Sequence, residues 1–117
     1  MQVAPERFSA RTRRILTSPE TELFFSAVST WEIVIKASVG KLPLPLPADD
    51  YVTTRLEGSG ITALPIDVTH ALRVVQLPVH HRDPFDRLLI AQAQIEGLPV
   101  LSADRQFRRY DIKLVPV

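Results

Sequence analysis

The hydrophobic positions of this 117-residue chain follow two patterns, short apolar runs and longer stretches with a helical period. The runs predict strands over residues 22–27, 61–64, 98–101 and 112–115, and the periodic stretches predict helices over 9–16, 29–40, 48–57, 68–76, 84–96 and 104–109. The helix over 84–96 has the clearest limits, because Pro84 stands at its first position and Gly97 just past its end. Apolar strands separated by helices predict an α/β fold, a parallel sheet flanked by helices.

Composition fits one domain and excludes several kinds of site. The length suits a single core, and hydrophobic residues make up 45% of the chain. Cysteine is absent, which excludes disulfides and thiolate metal sites and suits a cytoplasmic protein. The first residues contain no apolar signal segment, and no apolar run reaches the roughly 18 residues of a membrane span. We therefore expect a single cytoplasmic domain with no membrane segment.

Charge does not indicate a nucleic-acid binder, because 14 basic and 13 acidic residues give a net charge of only +1. Binding to RNA would need a local patch or a metal. The basic residues are expected to be solvated surface, although those near the acids could instead contact phosphates. They are Lys36, Lys41, Arg82, Arg87, Arg105, Arg108 and Arg109, and the pair His80–His81 could act likewise. Trp31 and Phe85 are expected in the core.

Two acidic residues fall where the carboxyl edge of the predicted sheet would lie, and a third lies at the start of the helix 84–96. Glu32 follows the strand that ends near residue 27, Asp104 follows the strand that ends near residue 101, and Asp86 lies in the first turn of the helix 84–96. Sites in parallel α/β sheets form outside the carboxyl ends of strands. Grouped carboxylates suit Mg²⁺, which prefers oxygen ligands and can activate water for hydrolysis of a phosphodiester.

Each acid also has a structural interpretation, and the pattern leaves both open. Ser29 and Glu32 fit a capping box. Asp83 fits the N-cap of the helix 84–96, where Asp86 would be the third residue and suit the helix dipole. Asp104 fits the cap of the last short helix. Capping does not exclude metal binding, because a carboxylate held rigidly at a helix start also suits a ligand.

Three blocks of sequence stand in order along the chain: STWEIVIK at 29–36 followed by GKL at 40–42, HHRDPFDRLLIAQA at 80–93, and LSADRQF at 101–107. Together they resemble the PIN-domain ribonucleases, namely the VapC-like toxins of type II toxin–antitoxin systems. The resemblance covers roughly residues 8–117. It implies a PIN-like fold, Mg²⁺ with Mn²⁺ as a substitute, an RNA substrate, a cognate VapB-like antitoxin and a homodimer.

By motif position, the resemblance makes Glu32, Asp86 and Asp104 the second, third and fourth acids of the family's metal site, with catalytic and metal-binding roles. Asp83 also belongs to the motif of this subgroup, and a helix cap remains its default role. The family's opening strand, which carries the first acid, has no match here, and residues 1–18 resemble the helix that follows it. We therefore expect residues 1–117 to form one N-terminally truncated PIN-like domain that lacks its first, central strand.

The missing strand has three explanations: a misassigned start codon, which the intact motifs favour, a decayed toxin gene, or another chain that fills the gap. The predicted function is that of a Mg²⁺-dependent endoribonuclease toxin, impaired in this form because three carboxylates bind Mg²⁺ less well than four. The alternative is a non-catalytic PIN remnant that binds an antitoxin, which would lay an apolar helix or extended arm across the site. A PIN nuclease of DNA repair or RNA processing is a further alternative.

Overall fold

The structure is a computed structural model that describes residues 9–116. The chain divides into two compact units. The central unit is Glu22–Asp67, and the terminal unit comprises the described residues of Met1–Thr21 and Val68–Val117. Each unit contains two strands paired in parallel, which confirms the α/β class. The expected absence of a strand before Ser9 concerns residues outside the described range, and it stays a prediction, as does the single domain over 1–117.

Every predicted helix and strand is present among the described residues. In chain order they are α1 (Ala10–Thr17), β1 (Phe24–Ser26), α2 (Ala27–Ser38), α3 (Ala48–Leu56), β2 (Thr62–Leu64), α4 (Val68–Arg73) with a 3₁₀ turn (Val74–Gln76), α5 (Pro84–Glu96), β3 (Val100–Ser102), a 3₁₀ helix (Arg105–Arg109) and β4 (Leu114–Pro116). The strands are shorter than predicted, because a strand extends only as far as its partner stays in register, and the apolar pattern does not specify that partner.

The central unit is a parallel strand pair joined by two helices. β1 pairs with β2 in the register Phe24↔Thr62 to Ser26↔Leu64. Parallel strands need a long crossover, and α2 and α3 provide it. Val28 of α2 is buried, as are two residues of α3, Tyr51 and Val52. The carboxyl ends of β1 and β2 therefore lie at one edge, and α2 begins at that edge.

The start of α2 differs from the prediction. The predicted N-cap, Ser29, lies inside the helix, and the N-cap is Ser26, whose Oγ accepts a hydrogen bond from the Val28 amide at 3.0 Å. The helix begins directly where β1 ends, so no loop residue is left over to cap it. Glu32 is therefore the sixth residue of α2 and not the third, and the capping-box interpretation of Glu32 is wrong.

The core of the terminal unit forms around α5, which is buried over the four consecutive residues 90–93. Its buried cluster is Leu77, Ile90, Ala91, Ala93, Val100, Phe107 and Tyr110. β3 lies beside β4 in parallel, with Val100 opposite Leu114. The core thus joins α5, the strands and the 3₁₀ helix after β3, and it fixes the elements that carry Asp86 and Asp104.

The turn after α5 is made by a glycine. α5 ends at Gly97, which has a φ of +66° and donates its amide to the carbonyl of Ala93. Glycine reaches this left-handed conformation without the penalty of a side chain, and β3 begins three residues later. The 3₁₀ helix that follows β3 lies near the start of α5, because the Arg109 guanidinium at its end donates to the His80 carbonyl at 3.3 Å.

No helix within residues 9–116 has both the length and the apolar character needed to cross a membrane.

Candidate active site

Asp83 and Asp86 lie at the start of α5 and have different roles there. Asp83 is the N-cap, and its Oδ1 accepts hydrogen bonds from the amides of Phe85 at 2.9 Å and Asp86 at 3.2 Å. Asp86 is the third residue of the helix, as predicted. Since Asp83 already satisfies these two amides, the Asp86 carboxylate is not needed to cap them. Its side chain is 19% exposed and remains accessible to a ligand.

The Asp86 carboxylate faces a histidine and a tyrosine. His81 Nε2 lies 3.4 Å from Asp86 Oδ2, and His81 Nδ1 lies 2.7 Å from the Tyr110 hydroxyl. Tyr110 is buried in the core directly after the 3₁₀ helix that Asp104 begins. The ring of His80 packs edge-on against the ring of Tyr110 at 4.9 Å between centroids. Asp86 is thus connected through two side chains to the segment after β3.

Arg87 forms a structural clamp and not a phosphate contact. Its guanidinium donates to the carbonyls of Pro78 at 2.9 Å, Val74 at 3.3 Å and Leu77 at 3.5 Å. It also donates to the Tyr110 hydroxyl at 3.3 Å. The Arg87 guanidinium therefore holds the segment before α5 against the start of that helix. The suggestion that Arg87 binds phosphate does not fit this arrangement.

Asp104 caps the 3₁₀ helix, as one of its two interpretations predicts. Its Oδ1 accepts from the Gln106 amide at 2.9 Å, and its own amide donates to Ser102 Oγ at 3.1 Å. Only one carboxylate oxygen serves the cap. The half-buried side chain therefore retains Oδ2 as a donor atom for a ligand. Capping and metal binding remain compatible here.

Glu32 belongs to the central unit. It lies in the second turn of α2, the helix that begins at the carboxyl end of β1. Its Oε2 forms an ion pair with Lys36 one turn further along. The pair is partly exposed, and such pairs contribute only about 0.3–0.5 kcal/mol, so a divalent cation could displace the lysine. The residues around Glu32 are thus compatible with ligation but do not require it.

Asp86 is connected to the segment that Asp104 begins, because His81 contacts both Asp86 and Tyr110. Asp104 is the N-cap of its helix and Asp86 is the third residue of α5, and the helix dipole favours a negative charge at both positions. The nearby segments also carry exposed cations, namely Arg82, Arg105, Arg108 and Arg109. This part of the terminal unit therefore combines carboxylate oxygens with positive charge.

Two expectations for the aromatic residues have different outcomes. Trp31 is 50% exposed, so its predicted place in the core is wrong. It lies one residue before Glu32 on α2, and the apolar pattern could not specify which side of this helix is covered. Phe85 is half-buried at the start of α5. Neither residue contributes to the buried cluster of the terminal unit.

Sequence reasoning missed Tyr110, which binds His81, a residue 29 positions earlier. No periodic pattern relates residues so far apart. His81 itself was considered only as a phosphate contact. The signal that could have drawn attention to it is its place in the HHRDPFDR block, directly before the predicted cap.

The donor atoms fit a hard divalent cation. Glu32, Asp86 and Asp104 provide carboxylate oxygens alone, and Mg²⁺ and Mn²⁺ take oxygen ligands together with water. All three side chains are partly exposed, so that water and a phosphate could reach them. The residues fit such an ion chemically.

Comparison with known proteins identifies the class. The family model described as PIN domain matches residues 2–113, and the chain therefore belongs to the PIN-domain family. Over 59 residues, the chain is 39% identical to Ribonuclease VapC16 of Mycobacterium tuberculosis (strain ATCC 25618 / H37Rv). That match covers 50% of this chain and 42% of the relative's own length. The resemblance to VapC-like PIN domains noted from the sequence is thus confirmed.

Proposed function

We propose that this chain is a divalent-metal-dependent endoribonuclease of the VapC-like toxin class, with Glu32, Asp86 and Asp104 as its catalytic and metal-binding residues. The observation that carries the proposal is the contact of His81 with both the Asp86 carboxylate and Tyr110, which directly follows the 3₁₀ helix that Asp104 caps. The PIN-domain match and the similarity to Ribonuclease VapC16 support RNA hydrolysis as the reaction. For Glu32, the support is its place in the STWEIVIK block.

The three carboxylates would hold Mg²⁺, with Mn²⁺ as a substitute. When bound, such an ion lowers the pKa of a coordinated water and stabilises negative charge on a phosphodiester. Asp104 is fixed by its cap bond to the Gln106 amide and Asp86 by its contact with His81, so little side-chain freedom is lost when they bind an ion. Arg82 and Arg105 are exposed beside Asp83 and Asp104, and they are suited to orienting the phosphate.

The test is RNA cleavage by this chain with Mg²⁺, compared with the same reaction in EDTA and with Asp86→Asn. Asp111→Asn is the matched control, since Asp111 is an exposed acid in the same unit. We expect weak cleavage, because this sequence offers three of the family's four acids, and complete loss with EDTA or Asp86→Asn. Cleavage by a folded Asp86→Asn variant equal to that of wild type would overturn the assignment.

We further propose a VapB-like antitoxin as partner, on the strength of the resemblance. Measuring RNA cleavage with and without such an antitoxin separates the toxin from the alternative, a non-catalytic remnant that binds an antitoxin. An antitoxin that forms a complex with the chain and suppresses its cleavage supports the toxin. A folded chain that forms this complex but cleaves no RNA supports the remnant.

A homodimer is the third part of the proposal, and the segment from Val68 to Val79 offers an apolar surface for it. Val68 and Leu72 of α4, Val75 of the 3₁₀ turn and Val79 after it are all exposed, Leu72 to 65% and Val75 to 86%. The exposed positions from 68 to 79 include no charged residue. A two-fold interface joins the same surface patch of both copies, so a patch without charge brings no like charges together and suits a second copy of this chain. The four side chains could form the apolar centre of an interface of roughly 800 Å² per partner.

Val75→Asp tests this interface. We expect wild type to have the mass of a dimer in light scattering and Val75→Asp to have that of a monomer, because a carboxylate would be buried in the apolar centre of the interface. Val39→Asp changes an exposed valine of the central unit and should leave the mass unchanged. A dimer that persists in Val75→Asp would show that the Val68–Val79 segment is not the contact.

A further inference from the structure

The side chain of His81 connects two groups that lie far apart in the sequence. One ring nitrogen lies 3.4 Å from Asp86 Oδ2, and the other lies 2.7 Å from the Tyr110 hydroxyl. The side chain of His81 is only 12% exposed. A histidine on the surface would have no reason to hold this orientation, so the two contacts and the burial together fix its ring.

The hydrogen bonds form a chain with one consistent direction. Arginine can only donate, so the bond at 3.3 Å runs from Arg87 Nη1 to the Tyr110 oxygen. A carboxylate can only accept, so His81 Nε2 donates to Asp86. In the neutral ring, Nδ1 is then an acceptor, and the Tyr110 hydroxyl donates its single hydrogen to it. Every donor in the chain meets an acceptor, and the chain ends at the Asp86 carboxylate.

Tyr110 is a rigid anchor for this chain. It is 4% exposed in the core, and its amide donates to the carbonyl of Phe107 at 3.2 Å. Arg87, which binds its hydroxyl, is itself held by backbone carbonyls. The hydroxyl therefore has little freedom to move, and its hydrogen bond to Nδ1 holds the His81 ring in place.

We propose that His81 and Tyr110 are positioning residues, which hold the Asp86 carboxylate in the orientation that binds a divalent cation. The proposal rests on the proposed function, in which Asp86 is a metal ligand. Asp83 caps the helix start, and His81 contacts the Asp86 carboxylate directly. Removing a residue that supports a metal ligand in this way typically weakens metal affinity by roughly 10–100-fold.

The experiment is a calorimetric titration of the whole chain with Mn²⁺, without RNA. The variants are Tyr110→Phe, which removes only the hydroxyl, and His81→Gln, with Asp86→Asn as reference. His80→Gln is the matched control, because His80 is the adjacent histidine and touches Tyr110 by ring packing. Circular dichroism establishes that each variant is folded before it is titrated.

We expect Tyr110→Phe and His81→Gln each to weaken Mn²⁺ binding by about tenfold, and His80→Gln to leave it within about twofold. Because Tyr110 acts through His81, the double variant should lose no more affinity for Mn²⁺ than the single variant that binds the ion less tightly. Additive losses of Mn²⁺ affinity would indicate that the two residues act separately, and they would overturn the proposal that Tyr110 acts through His81. A merely structural role would lower thermal stability without this pattern in metal affinity.

The failures of the two proposals can be told apart. If Asp86→Asn weakens binding while either Tyr110→Phe or His81→Gln binds Mn²⁺ like wild type, the positioning role is overturned and the metal site stands. If Asp86→Asn binds Mn²⁺ like wild type, or wild type does not bind it, the metal site itself fails, and the positioning role fails with it.

Discussion

At the scale of single residues, the acids of this chain combine structural and chemical roles. Asp83 and Asp104 cap helices as their positions before helical stretches predict, since a cap depends on residues only two or three positions away. The partners of Asp86 were not predictable. The contacts among His81, Tyr110 and Arg87 form only when the chain folds, and local sequence does not predict them.

The default role of Asp83 can be tested separately from metal binding. Asp83→Ala removes the acceptor of two amides and should lower the free energy of unfolding by about 0.5–2 kcal/mol in urea denaturation. Asp83→Asn retains a capping oxygen and should stay close to wild type. If Asp83→Asn is as unstable as Asp83→Ala, the cap does not account for the stability of this helix start.

The clamp formed by Arg87 should be important for stability. Arg87→Lys retains the charge but cannot reproduce the planar fork that reaches several carbonyls, so we expect a loss of about 1–3 kcal/mol in the free energy of unfolding. Arg108→Lys is the matched control, an exposed arginine of the same unit, and should change stability by less than about 0.5 kcal/mol. Equal effects of the two substitutions in thermal unfolding would contradict the clamp.

At the scale of elements, the sequence predicts a helix best where all local signals agree. α5 has the predicted bounds, because an N-cap, a proline at the first position and a glycine after the end all mark the same segment. The start of α2 was misplaced, because both Ser26 and Ser29 are good caps and the choice depends on where β1 ends. Strand lengths depend on pairing between distant segments, which the apolar pattern does not contain.

The end of α5 provides a test at this scale. Gly97→Ala should lower the free energy of unfolding by about 1–2 kcal/mol, because alanine is strained at a φ of +66°. An added Cβ would meet no atom within 4 Å, so the cost comes from the backbone alone. Gly97→Asn should lose less, since asparagine tolerates this conformation. A Gly97→Ala variant as stable as wild type would contradict this account of the turn.

At the scale of the whole molecule, the class was predictable because three sequence blocks stand in family order, and the PIN-domain match confirms it. The parallel pairing in each unit follows from short apolar strands separated by helices. The grouping of Glu32 with Asp86 and Asp104 is of a different kind. It joins residues of two units and is proposed from their motif positions.

The most direct measurement is Mn²⁺ binding to wild type and to Glu32→Gln, Asp86→Asn and Asp104→Asn, with Asp111→Asn as control. If the three acids share one ion, each of their variants should weaken binding by at least about tenfold, while the control binds like wild type. A Glu32→Gln variant that binds Mn²⁺ as tightly as wild type would contradict the shared site and leave Glu32 as a surface partner of Lys36.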